Sequence, residues 1–210
     1  MLSRSIRFTV IGVALAAIAA AGTASAQTGS GLPSFSSIDL PKGGHVVVRP
    51  GTTPAVTFVQ GSRELTRITV RNGVLVIEKC PNRCPRGYRL ELEVTAPNLT
   101  AVSFANGGSI RVASGFPRVQ AFTVSVNNGG TADVRSVVAD RVNASVRQGG
   151  RILTIPGSTM LARINNGGAI VYWGNARVDS STEHGGVVTR GEPDEIDRPL
   201  AEVGAYFRAH

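Results

Sequence analysis

Asp133 and Arg111 occupy equivalent places in two neighbouring segments, each just after a pair of glycines, so stacking those segments would set an acid beside a base. Enzymes that cleave polysaccharides on stacked β-coils need more: acids and bases clustered on adjacent layers of one face. A single Asp–Arg pair on a solvated sheet reads instead as a surface ion pair of little energetic value. Asp179, Glu183 and His184 are the densest ionisable group. Two or three ligands at one exposed end read as solubilising rather than as a metal centre. No G-x-S-x-G, H-E-x-x-H or phosphate-loop pattern occurs. The glycine pairs also lack the strand-to-helix context of a phosphate site. The sequence therefore predicts no catalytic residue, no metal and no cofactor. A carbohydrate-active lyase or hydrolase is the alternative.

Binding chemistry is better represented. Ser103, Ser125 and Ser145 recur four residues before a glycine pair, and Thr123, Asn127, Asn143 and Arg147 flank them. Small hydroxyls and amides on a flat, rigid surface suit hydrogen bonding to a glycan or a peptide. Sugar sites commonly add an aromatic platform, and here Trp173 falls in an outward column beside Tyr172. Trp173 either stacks a ligand or is covered by another part of the chain. Cys80 and Cys84 bracket Pro81 and Asn82 in "CPNRC". An oxidising compartment favours a local disulfide there, pinning a hairpin tip, over free thiols or a metal site.

These residues are ordered by a repeat. Glycine pairs fall at 107/108, 129/130, 149/150, 167/168 and 185/186, at intervals of 22, 20, 18 and 18 residues. Self-similarity at that period marks a repeat architecture, and the length suits one coil of a β-solenoid. Three residues before each pair stand Phe104, Val126, Val146, Ile164 and Thr182. Five before stand Val102, Val124, Ala144, Ala162 and Ser180. Two after come Ile110, Ala132, Ile152, Ile170 and Val188. Strand alternation sends these columns inward, and they lose apolar character in the fifth coil. The glycines allow a sharp corner with positive φ. By the same alternation Asn106, Asn128, Gln148, Asn166 and His184, just before the pairs, point inward as a stacked polar ladder serving the corner.

The earlier half, from Phe35 to Val94, is strand after strand without helical periodicity. Asn72-Gly73 predicts a tight hairpin, and Gly43-Gly44 and Gly51 mark other reversals. Most of this half is expected to join the solenoid, with the cysteine hairpin protruding. Near the end, Leu200, Val203 and Phe207 share one face of a short amphipathic helix, suited to capping the last coil.

The first 26 residues read as a signal peptide: Arg4 and Arg7 precede an apolar run that ends in Ala24-Ser25-Ala26. That run, about 14 residues, is shorter than the roughly 20 a membrane-spanning helix needs. Cleavage leaves 184 residues and lowers the net charge from +8 to +6. A modest positive excess on an exported chain favours anionic surfaces or polymers. Nucleic acid is not expected, because the arginines are dispersed and no nucleic-acid module occurs.

"FSSIDLPKGGHVVVRPGTTPAVTFVQG", "ITVRNGVLVIEK" and "APNLTAVSFANGGSIRV" together resemble the putative auto-transporter adhesin head domain, the GIN domain, over residues 35 to about 190. The resemblance implies an all-β, right-handed parallel β-helix-like solenoid with no assigned enzymatic chemistry and an adhesive or surface role. No membrane barrel follows the head in this sequence, so self-delivery to the surface is not expected. The reading divides the chain into a signal peptide (1–26), a linker (27–34), a solenoid with a hairpin insertion (35–191) and a tail or capping helix (192–210). The expected function is a non-catalytic binding or adhesion module of the cell envelope, periplasmic or at the cell surface. Its expected partner is a surface glycan, an anionic envelope polymer or a protein.

Overall fold

The computed structural model describes residues 27–193 and residue 196. The signal segment and the amphipathic tail helix expected from sequence lie outside the described residues. Those described form strands joined by turns, with no α-helix among them and none long and apolar enough to cross a membrane.

From residue 101 onward the chain lays one strand of each coil on each of two sheets. The first sheet takes β8 (Ala101–Ala105), β10 (Val119–Asn127), β12 (Ala139–Arg147), β14 (Thr159–Asn165) and β16 (Arg177–Glu183). The second takes β9 (Ser109–Val112), β11 (Thr131–Asp133), β13 (Arg151–Thr154), β15 (Ala169–Tyr172) and β17 (Val187–Arg190). Every neighbouring pair within these sets is parallel and in register, so Val126 lies between Phe104 and Val146, and Val146 between Val126 and Ile164. In-register stacking puts like residues over like. Phe104, Val126, Val146 and Ile164 are buried, as are Val102, Val124, Ala144 and Ala162, and on the facing sheet Ile110, Ala132, Ile152 and Ile170. Each fully buried aliphatic side chain contributes about 1.5–3 kcal/mol. In the last coil the same columns hold exposed Ser180 and Thr182 and half-buried Val188, so the core ends where the sequence turns polar.

Each coil turns from one sheet to the other through three successive residues with positive φ: Asn106 (60°), Gly107 (78°) and Gly108 (104°) at the first corner, and likewise at 128–130, 148–150, 166–168 and 184–186. The corner backbones are stitched along the axis. Asn106 N–H donates to the Asn127 carbonyl at 3.0 Å, Asn128 N–H to Arg147 at 3.0 Å, Gln148 N–H to Asn165 at 2.9 Å and Asn166 N–H to Glu183 at 3.0 Å. The corner side chains do not point inward as strand parity predicted. Asn106, Asn128, Gln148, Asn166 and His184 are all exposed. Positive φ breaks the two-residue alternation at that residue, turning its side chain out of the coil.

The earlier half supplies another coil and a cap. β2 (Ser37–Leu40) and β3 (His45–Pro50) form a coil whose corner is Gly43-Gly44. It stacks on β8 and β9 from one side, and on β6 (Val74–Lys79) and β7 (Glu91–Ala96) from the other, all parallel. Outside them run antiparallel strands: β5 (Thr66–Arg71) on β6 through the predicted Asn72-Gly73 turn, and β4 (Ala55–Gln60) on β7. β1 (Gln27–Ser30), in the stretch read as a linker, pairs antiparallel with β4. The cysteine segment differs from expectation. Cys80 and Cys84 are bonded, yet they do not pin a hairpin tip, because β6 and β7 belong to different sheets. The loop occupies the corner between the sheets, where Lys42 Nζ donates to the Pro81 carbonyl at 2.9 Å.

Candidate functional site

Because the strands from β2 to β16 are parallel and in register, their outward side chains on the eight-stranded sheet fall on a regular lattice. One row runs Asp39, Ser103, Ser125, Ser145, Arg163, Ser181 across successive coils. A second runs Ala105, Asn127, Arg147, Asn165, Glu183, and a third Ala101, Thr123, Asn143, Leu161, Asp179. The seven polar residues named from sequence as binding candidates on these strands, Ser103, Ser125, Ser145, Thr123, Asn127, Asn143 and Arg147, therefore share one face.

Within the serine row the hydroxyls are linked. Ser103 Oγ donates to Asp39 Oδ1 at 2.6 Å, and Ser145 Oγ to Ser125 Oγ at 3.0 Å. One row away, Asn165 Nδ2 donates to Glu183 Oε2 at 2.7 Å. A shallow groove of about 510 Å³ crosses this lattice, lined by Ser125, Asn127, Ser145, Arg147, Arg163 and Asn165 with Ser181 and Glu183. Asn127 Oδ1 is buried at its edge without a hydrogen-bond partner among the described residues. A second depression of about 570 Å³ adjoins it, bordered by Arg141, Asn143, Leu161, Arg177 and Asp179. Asp39 and the outward residues of β14 and β16 were not singled out from sequence as binding residues. Asp39 was visible in "SSIDL", whose alternation matches "AVSFA".

Trp173 lies elsewhere. It is 2% exposed and packs with Leu153 and Val171 beneath Ile196, on the outer side of the nine-stranded sheet. Its Nε1 donates to the Glu192 carbonyl at 2.9 Å, so Glu192, Pro193 and Ile196 cover it and it presents no platform to a ligand. Arg135 fastens the same cover: its guanidinium donates to the Ile196 carbonyl at 2.7 Å and stands 5.7 Å from the indole centroid.

The acid considered for catalysis is part of this fastening. Asp133 is 6% exposed, and Arg135 Nε and Nη2 reach its two oxygens at 2.8 Å each, while Arg111 stands at 3.7 Å. It is a buried, doubly engaged carboxylate rather than the surface pair expected. Among the described residues no group of three or more His, Cys, Asp and Glu side chains is disposed to hold a metal ion. At the corners, Asn128 Nδ2 donates to Asn106 Oδ1 at 3.1 Å and Asn106 Nδ2 to the Pro41 carbonyl at 2.8 Å. A short amide ladder thus exists, on the outside of the solenoid.

Solved structures similar to the chain include a putative adhesin from Bacteroides fragilis, 18% identical, covering 80% of this chain and 97% of that one with a TM-score of 0.45. A putative adhesin from Parabacteroides merdae is 14% identical over 81% and 98%, TM-score 0.38. A putative lipid binding protein from Parabacteroides distasonis is 11% identical over 81% and 98%, TM-score 0.32. No curated protein matches the sequence. The family model described as putative auto-transporter adhesin, head GIN domain, spans residues 34–169, from just before the first coil through the corner at Gly167-Gly168, and to that family the chain belongs.

Proposed function

We propose that the protein is an exported, non-catalytic binding or adhesion module of the bacterial cell envelope, taking a surface glycan or envelope polymer on the outward face of the eight-stranded sheet. The observation that carries this reading is the in-register lattice of hydroxyl and amide side chains, Ser125 and Ser145 at its centre, along the groove of about 510 Å³. A rigid sheet holds these groups at fixed spacing without further loss of entropy on binding, which favours a repetitive ligand. Membership of a family named for adhesins supports the surface role, and the signal-peptide pattern and the Cys80–Cys84 disulfide support an oxidising, extracytoplasmic location.

The test is a panel of immobilised envelope polysaccharides, neutral and anionic, scored for capture and for cleavage by the purified protein. Capture without cleavage is expected, reduced by the double replacement Ser125→Val and Ser145→Val. Capture of no member, or cleavage abolished by Asp133→Asn, overturns the proposal.

A further inference from the structure

On the outer face of the nine-stranded sheet two arginines stand against acids: Arg49 Nε meets Glu93 at 2.8 Å, and Arg111 meets Asp133 at 3.7 Å. The groove face of the other sheet is different. Arg141 and Arg147 on β12, Arg163 on β14 and Arg177 on β16 are all exposed and make no ion pair or side-chain hydrogen bond among the described residues.

Register fixes where they stand. Arg147 lies opposite Asn165 and Arg163 opposite Ser145, so these two are diagonal neighbours about 8 Å apart at the backbone. Arg141 and Arg177 flank Thr159 on either side, about 10 Å apart. From Arg141 to Arg147 along β12 is six residues, about 20 Å. The four guanidiniums thus mark out a band lying along the strands, with Asn143 and Ser145 between its ends. Asp39 and Glu78 lie on this face towards the other end of the sheet, on β2 and β6, and two more acids lie beside the band: Glu183, engaged by Asn165, and Asp179, two residues from Arg177. Both sit on β16, and neither adjoins Arg141 or Arg147. The preceding strand β10 places Ala121, Thr123, Ser125 and Asn127 at the corresponding positions, so the band begins at β12. Like charges on neighbouring strands cost stability unless something answers them.

We infer that this band binds a linear carboxylated polysaccharide, its carboxylates held by Arg141, Arg147, Arg163 and Arg177 and its hydroxyls met by the intervening serine and asparagine side chains. The inference deepens the proposed function and rests on it. Guanidinium forks match carboxylates in a bidentate geometry. A nucleic acid fits less well, because base stacking needs aromatic side chains and the single tryptophan is covered.

The experiment is calorimetric titration of the purified protein with polygalacturonate, its fully methyl-esterified form and single-stranded DNA. Binding to polygalacturonate is expected to weaken as salt is raised. Arg147→Gln with Arg163→Gln is expected to weaken it about tenfold. Arg63→Gln with Arg71→Gln, both exposed and away from the groove, removes the same charge and leaves the affinity unchanged. Circular dichroism of both double variants checks that they fold. If the methyl ester binds as tightly, or only a neutral glycan of the panel binds, the carboxylate inference falls while glycan binding stands. If DNA binds as well, or the distant pair weakens binding equally, the band is a general polyanion trap and the inference also falls. If no polysaccharide binds, the proposed function fails with it.

Discussion

Gly168 lies directly against the carbonyl of Gly150 on the preceding coil: a methyl group built on Gly168 stands 2.8 Å from that oxygen and 2.6 Å from Val146 Cγ1. The second glycine of a corner is therefore demanded twice, by its φ of 109° and by the coil beneath it. The first is demanded only once. Gly167, at φ 77°, has open space where its Cβ would go.

Separating the two demands gives a prediction. Gly167→Ala meets only the backbone penalty and is expected to cost about 1–2 kcal/mol. Gly168→Ala adds overlap with Gly150 and Val146, for about 3 kcal/mol or more. Urea unfolding midpoints of the two variants check this, and equal midpoints would show that coil stacking does not constrain the corner.

The interior columns can be tested in the same way. Ile164 is 2% exposed, stacked on Val146, so Ile164→Ala is expected to destabilise by about 2–5 kcal/mol. Thr182, its register partner in the last coil, is exposed, and Thr182→Ala is expected to stay within about 0.5 kcal/mol. Denaturant titration measures both.

The same contrast explains what could be read from the chain before its fold was known. A period-two column survives in sequence wherever strands alternate regularly, so Val102, Val124, Ala144 and Ala162 announced an interior. Asn106 and its equivalents could not be placed that way, because their positive φ resets the alternation. Gly43-Gly44 read as a reversal, but its place in the stack of corners was hidden by distance: the chain leaves that coil to build β4 to β7 and returns 64 residues later to stack Gly107-Gly108 against it. Of the groove, the serine row was visible as a repeat, whereas Asp39, which ends it, sits outside the repeated stretch. Leu153 and Val171 carried a signal that went unused. Two apolar residues in an outward column, followed by a tryptophan, call for a cover.

Arg135 joins that cover to a buried charge. Arg135→Ala removes both strong contacts of Asp133 and leaves the carboxylate with the backbone N–H of position 135 at 3.4 Å and Arg111 at 3.7 Å. The expected loss is about 3 kcal/mol, the lower end of the cost of stripping a partner from a buried ion pair. Asp133→Asn in the same background is expected to recover part of it, since a neutral amide leaves no charge uncompensated. Thermal unfolding of the single and double variants provides the measurement.

The disulfide closes only a short loop, the two cysteines being four residues apart in sequence. Chain entropy for so small a loop amounts to about 2 kcal/mol, and the corner it occupies is also tied by Lys42 to the Pro81 carbonyl. Replacing Cys80 and Cys84 by serine is therefore expected to lower the unfolding midpoint while leaving the β-sheet circular dichroism signal intact.

Trp173 is the only tryptophan in the chain, which makes the cover directly observable. Its indole is buried against Leu153 and Val171, and its N–H is taken by Glu192. A chain ending at Gly191 retains β17 and the whole stack of coils but loses that acceptor and Ile196. Its emission is expected to shift to longer wavelength and to become accessible to a neutral quencher such as acrylamide, with the β-sheet signal unchanged. The stack beneath does not depend on the cover, since Leu153, Val171 and Trp173 form a cluster separate from the solenoid interior. Loss of the β-sheet signal on truncation would instead make residues 192–210 part of the folding core. An unshifted spectrum would mean that the sheet alone shields the indole.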